Sequence, residues 1–213
     1  MTVLRADDGR LVLWSPVAMT AAHHEALRAL GEVRTLVAPN AFHHVHLAAA
    51  VAAFPGARVV GVPGHEKKRP DVRFDLLVDR ATPESALADV GLQGDISAIP
   101  TTGWPMVNEL VAVHRPSGTA VVTDMVFHIR EAPNAFSRWF WWLDGVWQRA
   151  ALPRTMPVFL RDRAAFDASL EQVLAHPWDR LVMAHGEVLH QGGRAPLEAW
   201  LARGRGRRAL PSA

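Results

Sequence analysis

An α/β fold, with sheet at its centre and helices outside, is predicted by three features of this 213-residue sequence. Short apolar runs that read as strands alternate with Ala-rich or amphipathic stretches that read as helices. Residues 33–38 and 57–62 flank one such stretch. Strand, helix and strand then fall within about 30 residues, the βαβ unit that normally carries parallel strands and a right-handed crossover. Apolar residues make up 49% of the chain, enough for the core of one domain with two layers of sheet.

The elements follow in order. Residues 10–15 read as a strand closed by Ser15-Pro16. Thr20 is placed to cap a helix over Ala21 to Leu30, and Gly31 to stop it. The strand at 33–38 runs into Pro39-Asn40, three imidazoles at His43, His44 and His46, and a helix to Phe54. Pro55-Gly56 ends that helix before the strand at 57–62. Residues 63–70 read as a polar loop with three consecutive cations, Lys67, Lys68 and Arg69. A short strand at 74–78, a helix at 83–90 and a strand at 95–100 follow. Two apolar runs, 109–114 and 119–123, meet across Arg115-Pro116-Ser117-Gly118 and read as a hairpin. A helix is expected over 134–150, with Phe136, Trp139, Phe140, Leu143, Val146, Trp147 and Ala150 on one apolar face. That face fits core packing, a homodimer contact, a wall over a site or an interfacial membrane contact. A helix at 166–175, a strand at 180–184 and a helix at 195–202 complete the chain.

Composition narrows the chemistry. There is no Cys, so any metal must be held by imidazole and carboxylate. The net charge is +2 although the sequence pI is near 9.9. With neither Cys nor Tyr, little titrates between His and Lys, so a small positive excess persists to high pH. The pI is therefore no sign of nucleic-acid binding. Arg203, Arg205, Arg207 and Arg208 make a basic C-terminal stretch, 203–213, that reads as a solvated tail. No apolar run of about 18 residues reads as a membrane span, and the first residues lack the apolar stretch of a signal peptide. A cytoplasmic protein with a small-molecule substrate is expected.

Three strand ends finish in metal-ligand chemistry. They are the turn at 39–46, Val121-Val122-Thr123-Asp124, and Met183-Ala184-His185-Gly186. His is the commonest protein metal ligand. An Asp directly after an apolar strand needs a partner or a metal.

These stretches carry a resemblance. Trp14-Ser15-Pro16, Ala38-Pro39-Asn40 leading to His43-His44, Pro55-Gly56-Ala57, Lys67-Lys68-Arg69, Thr123-Asp124 and Ala184-His185-Gly186 together resemble the metallo-β-lactamase superfamily. Within it they resemble a branch known only as a domain of unknown function. The resemblance spans about residues 10–200. It implies one metallo-β-lactamase-like domain over 1–213, an αββα sandwich of two mixed sheets flanked by helices, with metal at the open edge between the sheets. The superfamily motif Thr-His-x-His-x-Asp-His falls on residues 38–44, where Pro39 and Ala41 replace the first two imidazoles. Gly103 is followed by Trp104 where a third imidazole is expected. What remains is a second-site set: His43 in place of Asp, His44, Asp124 and His185. The resemblance thus implies one divalent ion, zinc ahead of iron, held by His43, His44, Asp124 and His185.

The function expected on this basis is a single-metal hydrolase. Asp124 is its catalytic carboxylate, and metal-activated water attacks an ester, amide or thioester. Lys67, Lys68 and Arg69 are expected to bind an acidic group of the substrate. Two other readings stay open: a non-catalytic metal- or ligand-binding descendant of the fold, and an iron-dependent oxidoreductase. His114, His128 and His190 are candidates for proton transfer, with structural or surface roles as the alternative.

Overall fold

Alternation of buried side chains sets the architecture. In a strand, successive side chains face opposite sides. Along Arg10–Trp14, Val12 and Trp14 pack into one cluster while Leu11 and Leu13 pack into another. Along Leu110–His114, Leu110 and Ala112 join the first of these clusters, and Val111 and Val113 a third. Both strands are buried on both faces, so they read in sequence as unbroken apolar runs. Three apolar layers of this kind require two sheets face to face, each with helices on its outer side.

A computed structural model describes residues 1–208, with side chains described as far as 204. In chain order the strands are β1 (Thr2–Arg5), β2 (Arg10–Trp14), β3 (Glu32–Val37), β4 (Arg58–Gly61), β5 (Leu76–Leu77), β6 (Ile96–Pro100), β7 (Leu110–His114), β8 (Thr119–Val121), β9 (Phe127–His128), β10 (Arg180–Val182) and β11 (His185–Gly186). The helices are α1 (Ala21–Leu30), α2 (Leu47–Ala53), α3 (His65–Lys68), α4 (Glu84–Asp89), α5 (Ala135–Asp144), α6 (Met156–Phe159), α7 (Arg163–Leu174) and α8 (Ala195–Arg208). One sheet has the order β1-β2-β3-β4-β5, antiparallel at β1/β2 and parallel thereafter. The other has the order β10-β8-β7-β6, antiparallel except at β10/β8. A two-stranded parallel ribbon, β11-β9, adjoins them.

The layer between the sheets holds Val12, Trp14, Val37 and Val60 from the first sheet and Ile96, Ala98, Leu110 and Val121 from the second. Outside the first sheet, Leu27 of α1 and Leu47 and Ala50 of α2 cover Leu11, Leu13, Leu36 and Val59. Outside the second, Phe166, Leu170 and Val173 of α7 and Leu197 and Trp200 of α8 cover Val111, Val113 and Ala120. The molecule is an αββα sandwich of two mixed sheets, as expected.

Three local expectations change. The imidazoles precede α2, in a turn, because helical geometry begins only at Leu47. The segment 63–70 holds the single-turn helix α3, entered through Gly64 at φ 101°. The helix expected over 134–150 stops at Asp144, because Gly145 takes the left-handed conformation with φ 79° and accepts the terminating role of a C-cap. Its start is as expected, with the Asn134 side chain accepting from Ser137 N–H. Phe136, Trp139 and Trp142 are 71%, 55% and 61% exposed, so these rings are not core residues of this chain. β1 was not expected from the sequence. The helix at the end runs on to Arg208, and residues 209–213 of the expected tail lie outside the described residues. No helix among the described residues is long and apolar enough to cross a membrane.

Candidate metal site

The site is assembled at the carboxyl ends of parallel strands, where α/β sheets characteristically bind ligands. β3 leads through Asn40 to His43, β8 to Asp124, and β10 to His185. Among the described residues, one ligand atom from each of His43, Asp124 and His185 lies within 4.8 Å of the other two. His185 Nε2 is 2.9 Å and His43 Nε2 3.4 Å from Asp124 Oδ1. Ligands at about 2.0–2.1 Å from a tetrahedral ion stand roughly 3.3 Å apart, so this spacing suits one small cation.

Each member is held by a second group. His43 Nδ1 lies 2.7 Å from the Ser15 hydroxyl. That contact holds the ring with Nε2 turned toward Asp124. Ser15 directly follows β2 and has φ 57°, the left-handed region that a non-Gly residue rarely adopts. Asn40 is fully buried. Its amide nitrogen donates to Asp124 Oδ2 (2.7 Å) and Thr123 Oγ1 (2.8 Å), and its carbonyl accepts from Phe42 N–H and His43 N–H (both 2.9 Å). Asn40 thus ties the His43 turn to the end of β8. Glu109, also fully buried, accepts from Thr123 N–H (2.7 Å) and Asp124 N–H (2.8 Å). His185 pairs in register with Phe127 across β11/β9, and the two rings stack at 4.9 Å and 8°. Trp141 of α5 also stacks on Phe127, with ring centroids 6.1 Å apart.

The electrostatics follow from burial and these partners. Burial opposes the Asp124 charge, but hydrogen bonds from His185, His43 and Asn40 outweigh it and hold the carboxyl well below the ordinary range. Burial pushes Glu109 up to about 7; the Thr123 and Asp124 N–H bonds oppose that shift, and the Asp124 charge adds to it. Asp124 is therefore anionic throughout the physiological range.

His44 is not brought to this cluster. Adjacent side chains on a turn diverge, and its ring stands edge-on to His65 at 5.3 Å. Burial, then Arg69 and Lys68, lower its pKa. His65 is fully buried; its Nε2–H donates to Asn40 O (2.9 Å) and its Nδ1 accepts from Val62 N–H (3.2 Å). Burial drives its pKa down to about 4, so it is neutral. The cations lie on this side too. Lys68 Nζ donates to Ala41 O (2.8 Å), and Arg69 donates to His44 O and Val45 O while pairing with Asp71. Lys67 is exposed. His114 is held by Ser117 Oγ and Arg5 O, and His128 lies against Glu187 O.

A cavity of about 760 Å³ opens beside His43, Asp124 and His185. Its walls include Ser15, Phe42, His46, Trp104, Phe127, Phe140, Trp141, Met156 and Phe159 besides those three. Lys67, Lys68, Arg69, His44, His114, His128 and His190 are not among its lining residues. Trp104, expected at an imidazole position, is buried against Phe166 with ring centroids 6.0 Å apart.

Ser15, Asn40 and Glu109 were not picked out as site residues from the sequence. Glu109 left one signal, a carboxylate opening an apolar run, which is rarely buried without partners.

No protein-family model matches the chain, and no curated protein matches it. Solved structures do. The peroxy diiron form of the chemotaxis sensor ODP aligns at 14% identity over 92% of this chain and 83% of its own, with a TM-score of 0.57. DIM-1 metallo-β-lactamase aligns at 11% identity over 96% and 86%, with a TM-score of 0.55. A diflavin flavoprotein fragment from Nostoc sp. aligns at 13% identity over 98% and 83%, with a TM-score of 0.58. The chain thus shares, over nearly its whole length, the fold of the metallo-β-lactamase superfamily.

Proposed function

We propose that the protein is a single-metal hydrolase acting on an ester, amide or thioester of a small molecule, with zinc favoured over iron. The observation that carries this is the convergence of His43, Asp124 and His185 at the wall of a cavity large enough for a substrate. The sequence resemblance implied four ligands including His44. With three, an ion keeps an open position, which a catalytic site needs and a structural site lacks. A divalent ion bound there supplies Lewis acidity and a water nucleophile at neutral pH.

The chain's own residues have separate tasks. His43, Asp124 and His185 hold the ion. Ser15 and Asn40 fix the ring and the carboxylate that do so, and Glu109 anchors the Thr123–Asp124 backbone. A substrate seated on the aromatic walls would displace water from them, and His46, on the cavity wall, is the candidate to pass a proton to a leaving group.

The test is elemental analysis of the native protein and of Asp124→Ala/His185→Ala, with hydrolysis of a neutral p-nitrophenyl ester assayed on both. About one equivalent of zinc per chain is expected in the native protein. Hydrolysis should be abolished by a chelator, restored by the ion and absent from the double variant. Metal-independent hydrolysis, or no stoichiometric metal after reconstitution, overturns the reading. A second reading has its own support, since two imidazoles and one carboxylate are also the ligand set of non-haem iron oxygenases. Iron in place of zinc, with oxygen consumption and no ester hydrolysis, selects it.

A further inference from the structure

The lining of the cavity discriminates between substrate classes. Along its walls Val17, Phe42, Val45, Met106, Phe140 and Phe159 present apolar surface, and Trp141 and Met156 continue it inward. Among the described residues, no Lys or Arg side chain lines it. Its lining carboxylates are Asp124 and Asp144, and Asp144 is 5% exposed with its Oδ1 accepting from Thr155 N–H. Met1 lies at the wall, with burial holding its amino group below its ordinary pKa. The cations expected to bind an acidic group, Lys68 and Arg69, are engaged by carbonyls of the turn at 41–45 and by Asp71.

We infer that the site takes an uncharged substrate with a linear or branched hydrocarbon chain, whose reactive carbonyl reaches His43, Asp124 and His185 while the chain lies along Phe140, Trp141 and Phe159. This inference rests on the proposed hydrolase reading for the carbonyl end alone; the chain end rests on the cavity wall. An anionic chain would meet the Asp144 carboxylate and, among the described residues, no Lys or Arg side chain. A neutral chain replaces water on several aromatic faces at once. Phe140 and Phe159 are 43% and 45% exposed in this structure, so they still have apolar surface to cover. The volume of about 760 Å³ lies within the range of small-molecule sites, about 300–1,000 Å³.

The test is calorimetric binding of N-methyl alkanamides, from butanamide to decanamide, beside alkyl phosphates of matching length. It is run on the metal-reconstituted protein and on Asp124→Ala/His185→Ala. Amide affinity should rise about fourfold per added methylene until the chain outgrows the cavity, as burial of one CH₂ requires. This dependence should persist in the double variant, where the phosphates bind no tighter than the amides. Phe159→Lys should weaken the longer amides about tenfold or more. Val158→Lys, whose parent side chain is 80% exposed and does not line the cavity, should leave them unchanged. Affinity independent of chain length, or alkyl phosphates tighter than amides in the double variant, overturns the inference. Chain-length-dependent amide binding without any hydrolysis supports it and refutes the proposed reaction. Metal-dependent hydrolysis of short esters without amide binding refutes it and leaves that reaction standing.

Discussion

Ser15 reaches the metal-site cluster through His43, and its effect on metal binding is correspondingly selective. A hydroxyl 2.7 Å from Nδ1 holds the ring plane that directs Nε2 at Asp124. Ser15→Ala should weaken metal binding by about 10–100-fold, the usual effect of losing such a partner, in competition with a chromogenic chelator. The unfolding midpoint of the metal-free protein should change little; a large drop would show that the residue supports the fold instead. His65 acts on stability. Its pKa falls from an ordinary 6.5 to about 4 on folding. Between these values the unfolded chain binds more protons, so the contribution of neutral His65 is complete above about 6.5 and is lost as pH falls through 4. Urea titrations should show a loss of about 1–3 kcal/mol. His65→Gln should be less stable at neutral pH and should lack that slope. An undiminished slope would assign it to other histidines.

The ribbon β9/β11 controls whether His185 reaches the site. Gly186 has φ 114°, and a Cβ built on it would meet His128 O at 2.0 Å. Gly186→Ala therefore cannot keep the pairing of His185 with Phe127. It should lower both metal affinity and the near-ultraviolet dichroism of the Phe127–Trp141 stack, while far-ultraviolet dichroism stays unchanged. Retention of metal stoichiometry in this variant would place His185 outside the ligand set. Element boundaries differed in how far they could be read. Thr20 and Gly31 bound α1 as expected, because capping is local chemistry. The end of α5 was misjudged, because the apolar spacing continues through Gly145 as far as Ala150. The buried Val146 packs as loop, with Val146 N–H bonded to Trp141 O and a bridge from Trp147 to Ile129.

At the scale of the whole molecule, metal binding should appear as fold stability. The three candidate ligands come from the ends of β3, β8 and β10, which belong to two different sheets. An ion bound only by the folded chain stabilises it by RT ln(1 + [L]/Kd), about 2.7 kcal/mol at a hundredfold excess over Kd. Chelation should lower the melting temperature of the native protein and leave that of Asp124→Ala/His185→Ala unmoved. The same long-range assembly limits what can be read from the sequence. The sheets were legible because alternation and apolar runs are local. Asp124 and His185 stood out because each follows an apolar strand. Which of His43 and His44 joins them was not legible, because it depends on Asn40 accepting from His43 N–H and on Ser15 arriving from β2. Glu109 stayed hidden for a similar reason, since its partners are main-chain amides at 123 and 124.

The clamp that Lys68 and Arg69 place on the turn at 41–45 has a consequence for how this fold changes over evolution. They grasp carbonyl oxygens of Ala41, His44 and Val45, which every amino acid possesses. The path of the turn is thus insured against replacement of the side chains it displays. Ligands can be exchanged or deleted along it without dismantling their support, so the architecture outlives any one chemistry mounted upon it.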